Sequence, residues 1–306
     1  MKISSYGGII AAANEKFAFP LNKVGNTTAV KRLVTSFQQA GVFPIAVISG
    51  SEEAEVRYQL SSSGVIFLRP AQNEPELFDS VKTGFSFLQD TCERIVFTPV
   101  NAPMFSPLTL RLLMQAEGEI VLPSYRGRSG HPILVSAQSV PEILSYQGER
   151  GLRGAVAALG SRRAWVDVDD AGVLYTIQQG EVPENYIKQH SNETLHLAAQ
   201  LSLRKGGVIF DARTKLLLLL IWKTHSVRAA CQQMALSYSK AWEMLNTLED
   251  SLEVTLIERR HGGAKGGRTT LSDQGLIFLR EYQRQEEAVY QYTQDKLDGL
   301  KSLLQR

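Results

Sequence analysis

Cysteine is scarce in this 306-residue chain, which contains only Cys92 and Cys231 and has no Cys-x-x-Cys motif. Two isolated cysteines exclude a disulfide scaffold and favour reduced, buried thiols. The five histidines are scattered and form no zinc-ligand pattern, so we expect no bound metal. Long hydrophobic runs are also missing, since the leucine-rich stretch Leu216–Trp222 is far shorter than a membrane span. The first residues contain no signal-peptide hydrophobic segment, and these absences together predict a cytoplasmic protein.

A strong net charge is absent as well, because the formal charge at pH 7 is +2. The charge is nevertheless unevenly distributed. Up to residue 203 there are 17 Lys and Arg against 19 Asp and Glu, and from residue 204 there are 16 against 12. A weakly acidic body with a basic tail suits a localised contact with nucleic acid. The length allows two domains.

The first 187 residues alternate short apolar segments with helical segments. Strands are predicted at 8–13, 43–49, 65–69, 94–98 and 119–123, and helices at 27–40, 52–62, 76–88 and 106–116. This alternation predicts an α/β fold with a mainly parallel, doubly wound sheet. Ligands of such sheets bind beyond the carboxyl ends of the strands, so we expect a cleft there.

Five segments of this region carry more specific patterns. They are AQNEPELFDSVKTGF (71–85), TPVNAPMFSPLTL (98–110), LPSYRGRSGHPILVS (122–136), QGERGLRGAVAAL (147–159) and VDVDDAGVLYTI (166–177). Together they resemble the nucleotidyltransferases of molybdenum-cofactor biosynthesis, of the MobA and MocA type, and Arg128–Pro132 is the most specific match. The resemblance implies a nucleotidyltransferase-like fold over most of this region.

The same region departs from that family at the positions that catalysis needs. The family opens with a glycine-rich loop that contains an arginine, whereas here IIAAAN (9–14) runs directly into EKFAFPL (15–21). Asn101, a weak magnesium ligand, replaces the family's metal-binding aspartate, and the closing acids are missing from Thr176–Gln179. Nucleotidyl transfer needs both the phosphate donors and the metal. We therefore predict a catalytically degenerate domain that is not an enzyme. The alternative is an active cytidylyl- or guanylyltransferase fused to a regulator.

Three neighbouring acids, Asp167, Asp169 and Asp170, are predicted to lie in a solvent-facing turn, and metal binding is the less favoured interpretation. Other polar residues match segments that approach nucleotide or substrate in the resembled family. These candidates are Lys16, Asn73, Ser80, Lys82, Asn101, Arg128 and His131. The resemblance implies a nucleotide or pterin effector and no required cofactor. The candidates either bind such a ligand or only maintain the fold, and the domain either senses a small molecule or docks a partner protein.

A helix-turn-helix pattern begins at Ser226. Apolar residues recur at helical spacing up to Met234, and Ala235-Leu236 is a short break. Ser237 is a good N-cap for a second helix, which continues to about Asp250. The first turn of such a helix faces the base edges of DNA. The residues predicted to read bases there are Ser237, Tyr238, Ser239 and Lys240.

A glycine-rich basic hairpin follows the second helix. Leu256-Ile257 is a short apolar strand, and four glycines between positions 262 and 267 let the tip approach a backbone closely. The cations predicted to contact phosphates there are Arg259, Arg260, Lys265 and Arg268. A solvated, flexible loop is the alternative, but the position directly after a helix-turn-helix favours DNA binding.

Three motifs, LSYSKAW (236–242), LIERRHGGAKGG (256–267) and TLSDQG (270–275), carry a second resemblance. Residues 208–290 resemble the DNA-binding domain of ModE, the molybdate-responsive repressor, a relative of the LysR-type winged helices. The resemblance implies a transcriptional regulator that binds double-stranded DNA and is linked to molybdenum metabolism.

A long helix is predicted from Ser272 to about Leu304, because apolar residues recur at helical spacing over the whole segment. In the families resembled, this helix pairs two chains, so we expect a homodimer with two recognition helices about one DNA turn apart. The predicted organisation is a nucleotidyltransferase-like domain at 1–190, a linker at 191–205 and a winged-helix and dimerisation domain at 206–306.

Overall fold

A nine-residue strand, β1 (Ser4–Ala12), is the longest strand described in the protein, whose structure here is a computed structural model. The structure describes residues 2–13, 19–70, 76–177, 187, 199–260 and 268–304, but not the side chains of 260 and 298–304. The chain divides into two compact units, Met1–Leu195 and His196–Arg306.

The first unit contains one large sheet. Besides β1, its strands are β4 (Ile45–Ser49), β5 (Ile66–Leu68), β6 (Cys92–Pro99), β7 (Ile120–Tyr125), β8 (Arg128–Ser129), β9 (Ile133–Ser136) and β10 (Arg163–Asp167). Two further strands, β2 (Lys23–Val24) and β3 (Thr27–Thr28), form a separate two-stranded sheet. The sheet order is β10-β7-β9-β6-β1-β4-β5, with β8 paired to β7. Most neighbouring strands are parallel. Strand β9 pairs antiparallel with β6 and β7, and β8 pairs antiparallel with β7. The predicted mainly parallel α/β sheet is therefore confirmed.

Helices cover both faces of this sheet. They are α1 (Ala29–Gln39), α2 (Glu53–Leu60), α3 (Leu77–Leu88), α4 (Pro107–Gln115), α5 (Val140–Ser145) and α6 (Gly151–Ala158), with 3-10 helices at Ala137–Ser139, Gly160–Arg162 and Ala171–Leu174. Ile9 and Ile10 point to opposite faces of β1 and are both fully buried. The predicted elements are present with shifted ends. Strand β1 begins earlier than its apolar run because Ser4 pairs with Cys92 of β6.

Helix α3 packs directly on β1 because Gly84 lacks a side chain. An added Cβ at Gly84 would lie 2.7 Å from Cγ2 of Ile9, closer than real Cβ contacts allow. One residue further along, the ring of Phe85 stacks on that of Phe97, with centroids 6.2 Å apart. The packing places the second half of α3 against the central strands of the sheet.

The second unit is a winged helix with a long final helix. Its elements are β11 (Leu203–Lys205), β12 (Gly207–Phe210), α7 (Ala212–Thr224), α8 (Val227–Gln233), α9 (Tyr238–Leu252), β13 (Ile257–Arg260), β14 (Arg268–Leu271) and α10 (Asp273–Leu304). The core is formed by α7, in which every residue from Thr214 to Ile221 is buried. A helix that is buried on all sides lacks the one-sided apolar pattern by which helices are recognised in a sequence, and α7 was not predicted.

Serine caps set the helix boundaries in this unit. Ser226 Oγ accepts a hydrogen bond from the Ala229 amide at 3.2 Å, and Ser237 Oγ accepts one from the Lys240 amide at 3.3 Å. Both satisfy amides that lack a partner within the helix. The cap predicted at Ser237 is therefore present, and α8 and α9 meet at the predicted break.

The hairpin of β11 and β12 was not predicted, and its first strand lies in the segment 191–205 that was expected to be a linker. Phe210, at the end of β12, packs edge-on against Tyr282 of α10, with ring centroids 4.6 Å apart. The Tyr282 hydroxyl donates to the Leu201 carbonyl at 2.6 Å. These contacts join the hairpin to the long helix. No helix among the described residues is long and apolar enough to cross a membrane.

Candidate nucleic-acid interface and ligand cavity

The first turn of α9 is open to solvent. Tyr238 is 50% exposed, and Ser239 and Lys240 are exposed beside it. The Lys240 ammonium pairs with Glu243 Oε1 at 2.7 Å, an exposed pair one helical turn apart. Such surface pairs are weak and exchange readily, so Lys240 is available to a partner. The structure brings these predicted residues together on one helix end.

The two faces of α9 differ sharply in burial. Ala241, Leu245 and Leu248 are fully buried and hold the helix on the domain. Ser239 and Asn246 are exposed on the other side, at a spacing of seven residues that places them on one face. The exposed face continues beyond the first turn, so Asn246 is a candidate that the sequence did not single out.

The hairpin of β13 and β14, called the wing below, is anchored to the end of α9. Glu249 Oε1 accepts hydrogen bonds from the amides of Leu256 at 2.7 Å and Ile257 at 2.9 Å. Strand β13 then pairs with β14, and Arg259 lies opposite Thr269. This ladder holds the backbone of Arg259 in a fixed geometry.

The side chain of Arg259 lies against α9. Its guanidinium carbon is 4.1 Å from the centroid of the Trp242 ring, and its Nη2 is 3.5 Å from Asn246 Oδ1. The first contact is a cation–π interaction, and the second is at the outer limit of a hydrogen bond. Arg228 of α8, which the sequence analysis did not single out, lies 6.0 Å from the Tyr238 ring.

The other predicted cations of the wing are Arg260, Lys265 and Arg268. Arg268 is exposed at the start of β14. Burial of the His225 imidazole lowers its pKa, and the nearby charge of Arg268 lowers it further. Lys265 and the side chain of Arg260 lie outside the described residues. Their contacts with DNA phosphates stay a prediction.

The first unit contains a cavity of about 800 Å³ between the sheet and helices α3 and α6. Four arginines line it: Arg128 from β8, Arg150 and Arg153 from the start of α6, and Arg163 from β10. Apolar side chains such as Phe97 and Leu122 form most of the remaining wall, which also includes the acid Glu76. The ring of Trp165, 52% exposed, lies at the edge. Positive charge over an apolar floor suits an anionic ligand that carries a flat ring.

Of the predicted ligand residues that the structure describes, Arg128 and His131 line this cavity. The His131 amide donates to the Val173 carbonyl at 2.8 Å, and its ring meets Phe97 edge-on at 6.2 Å. Burial disfavours the charged imidazolium and lowers the pKa of His131 to about 4. The imidazole is therefore neutral at pH 7. Gly130 permits this arrangement, because an added Cβ would overlap the Val173 carbonyl.

The other predicted ligand residues that the structure describes, Ser80, Lys82 and Asn101, do not line this cavity. Ser80 is buried within α3, and the Lys82 ammonium lies 4.6 Å over the Phe78 ring. The Asn101 side-chain oxygen is buried and has no hydrogen-bond partner in the described part of the chain. Lys16 and Asn73 lie outside the described residues. Ligand binding by these residues stays a prediction.

Asp170 corrects the prediction that all three neighbouring acids face solvent. It is buried, and its Oδ2 accepts from the Ser106 amide at 2.8 Å and the Thr109 hydroxyl at 2.5 Å. It therefore fixes the start of α4. Asp167 and Asp169 are exposed, as predicted. The described residues contain no group of three histidines, cysteines or acids that could hold a metal ion.

Each of the two units matches a known protein family. Residues 15–164 match the MobA-like NTP transferase domain. Residues 216–276 match the bacterial regulatory helix-turn-helix protein family of the LysR type. The chain therefore combines an NTP transferase-like domain with a LysR-type DNA-binding domain, and the two resemblances drawn from the sequence are confirmed.

Individual relatives cover single domains. The chain is 34% identical over 92 residues to the molybdenum transport protein ModE of Azotobacter vinelandii, a match over 30% of this chain and 33% of that protein. The chain thus spans about a third of this curated relative. A nucleotidyl transferase from Methanothermobacter thermautotroptrophicus has the fold of the first unit, with a TM-score of 0.51 and 20% identity over 61% of this chain and 96% of that one. Rv0371C of Mycobacterium tuberculosis, solved with manganese, matches 54% of this chain and 89% of its own at 22% identity and a TM-score of 0.45.

Proposed function

We propose that this chain is a DNA-binding transcriptional regulator linked to molybdenum or molybdenum-cofactor metabolism, with a first unit that no longer transfers nucleotides. The observation that carries the proposal is the exposed first turn of α9, with Tyr238, Ser239 and Lys240, in a domain that matches a regulatory family. The similarity to ModE supports the molybdenum link. A regulator of genes works where DNA is, which fits the cytoplasmic location expected from the sequence.

The loss of catalysis follows from the chemistry of the residues present. Transfer of a nucleotidyl group needs a divalent metal to neutralise the developing phosphate charge. The side chain at the family's metal position is the neutral amide of Asn101, and the described residues contain no group of three or more histidines, cysteines or acids that could hold a metal ion. These residues do not fit a magnesium site. The glycine-rich loop is also missing from the sequence.

The cavity of the first unit is proposed as a sensor site. Four arginines supply charge for phosphate or carboxylate groups, and the apolar wall beside Trp165 suits a flat ring. A nucleotide or a phosphorylated pterin combines these features. Docking of a partner protein by this unit is the second interpretation of a retained fold without catalysis.

Ligand binding is tested by thermal denaturation of the full chain with CTP, GTP and pterin phosphates. A ligand that binds only the folded protein raises the melting temperature. The expected shift disappears in Arg150→Ala and Arg153→Ala and persists in Arg126→Ala, an exposed arginine that does not line the cavity. Shifts that survive both cavity substitutions contradict the sensor site, and no shift with any compound favours partner docking.

An active transferase is the rival function, and the match of residues 15–164 to a transferase domain is the observation that favours it. Incubation with CTP or GTP, molybdopterin and Mg²⁺ decides between the two. We expect no dinucleotide product. Sustained turnover that Asn101→Ala abolishes would establish the rival.

Dimerisation through α10 is proposed from its exposed apolar residues. Ile277 is 65% exposed and Tyr292 is 61% exposed. Two chains that bury these side chains against each other form a two-fold dimer. Sedimentation should show a dimer for the native chain and a monomer for the double substitution Ile277→Glu, Tyr292→Glu. An unchanged dimer would place the interface elsewhere.

A further inference from the structure

We infer that Arg259 reads a guanine in the major groove, held in place by Trp242 of the recognition helix. This inference rests on the proposed DNA-binding function and goes beyond it, because it assigns a base-reading role to a wing residue. The sequence alone placed Arg259 among the phosphate contacts.

The first step concerns the backbone of Arg259. Strand β13 is fixed at its start by Glu249, which accepts the amides of Leu256 and Ile257, and along its length by pairing with β14. Side chains two residues apart in a strand point to the same face. Ile257 is buried against the domain, so Arg259 continues that face toward α9, while Glu258 is exposed between them.

The second step concerns the guanidinium. It lies 4.1 Å from the Trp242 ring centroid, and Nη2 is 3.5 Å from Asn246 Oδ1. A guanidinium that stacks on an aromatic face keeps its N–H groups in the plane, directed outward in a rigid fork. Among the described residues Arg259 forms no ion pair with an acid. Its guanidinium N–H groups can therefore donate hydrogen bonds to a partner outside the chain.

The third step concerns location. Trp242 is half-buried and Asn246 exposed on α9, one and two turns beyond the exposed first turn at Tyr238. A recognition helix of this type lies in the major groove, so a side chain carried on its surface enters the groove with it. Guanine presents two acceptors there, O6 and N7, at the spacing that an arginine fork matches.

The competing role is a bidentate contact with a phosphate, which the same fork also fits. The two roles differ in what they read. A base contact discriminates between sequences without dominating the salt dependence, whereas a phosphate contact adds to the salt dependence on every sequence. Arg259→Lys separates them, because it keeps the charge and loses the planar fork and its stacking.

The experiment uses the full chain. A preferred duplex is selected from a random pool by the native protein, and each guanine in it is then replaced singly. Affinities of native protein, Arg259→Lys, Arg259→Ala, Trp242→Leu and the control Arg268→Lys are measured on all duplexes at several salt concentrations. Arg268 is also an exposed wing arginine, at the start of the partner strand β14.

We expect Arg259→Lys to lose a guanine preference of roughly 5- to 150-fold at one position per half-site, with an unchanged salt slope. Trp242→Leu should weaken preference at the same position, and Arg268→Lys should leave it intact. If Arg259→Lys keeps the native preference, or Arg259→Ala weakens all duplexes equally and lowers the salt slope, the inference is overturned and Arg259 is a phosphate contact. Failure of the native protein to select any duplex overturns the regulator proposal and this inference with it. Thermal melting of each variant verifies the fold.

Discussion

The two units of this chain differ in how their functional residues are distributed along the sequence. In the winged helix, the exposed residues Tyr238, Ser239 and Lys240 are consecutive. In the α/β unit, the cavity is assembled from β8, α6 and β10, whose arginines range from Arg128 to Arg163. A site within one helix turn is visible as a motif, whereas a site built from several elements depends on the packing between them.

The largest expected effect tests how tightly the cavity wall is packed. Gly130→Ala should destabilise the first unit by about 3 kcal/mol, because the new Cβ overlaps the backbone carbonyl of Val173. Hydrogen exchange followed separately in the two units measures the loss, which should be confined to the first. Gly127→Ala is the matched control. Its Cβ meets open space, so only the positive φ of 76° costs stability, about 1–2 kcal/mol. Equal losses of stability in both variants would show that the backbone at Val173 moves to accommodate the new Cβ.

The next prediction concerns how the stability of the first unit depends on pH. The pKa of His131 is about 4 in the folded protein, against about 6.5 in an unfolded chain. Between these values the unfolded chain binds a proton that the folded chain does not, so stability falls as the pH falls through that window. The full loss is roughly 3 kcal/mol. His131→Gln should flatten this dependence. An NMR titration in which the His131 ring protonates near pH 6.5 would contradict the burial on which the prediction depends.

A smaller effect addresses the recognition helix. Lys240→Ala should weaken binding to the selected duplex by about 1–3 kcal/mol and broaden the sequence preference, with little change on random DNA. Lys205→Ala is the control, since Lys205 is exposed but donates to the Ser251 carbonyl at the opposite end of α9. Equal losses for the two lysines on both duplexes would reduce Lys240 to a general electrostatic contact.

The smallest effect concerns the wing tip. Lys265→Ala should weaken specific and random duplexes alike and lower the slope of log affinity against log salt by about 0.9, the value for one lost phosphate contact. Salt titrations on both duplexes measure this. A changed base preference with an unchanged slope would mean that the tip reads bases.

Local chemistry explains what sequence reasoning could predict. The Ser237 cap and the alternating strands depend on neighbouring residues, and both are present. Three features depend on contacts between distant segments and were missed: Arg259 on Trp242, the capping role of Asp170, and the arginines of α6 and β10 that line the cavity. The segment 147–159 had been noticed as a family motif, but nothing in its own pattern shows which sheet face it covers.

The most direct test of the regulator is selection of duplexes from a random pool by the full chain. We predict enrichment of one sequence with two-fold symmetry, because a dimer presents two copies of α9 about one DNA turn apart. Lys240→Ala and Arg259→Lys should each weaken the sequence preference at different positions. A pool that stays random after repeated selection, with affinity that depends only on salt, would contradict sequence-specific binding by this protein.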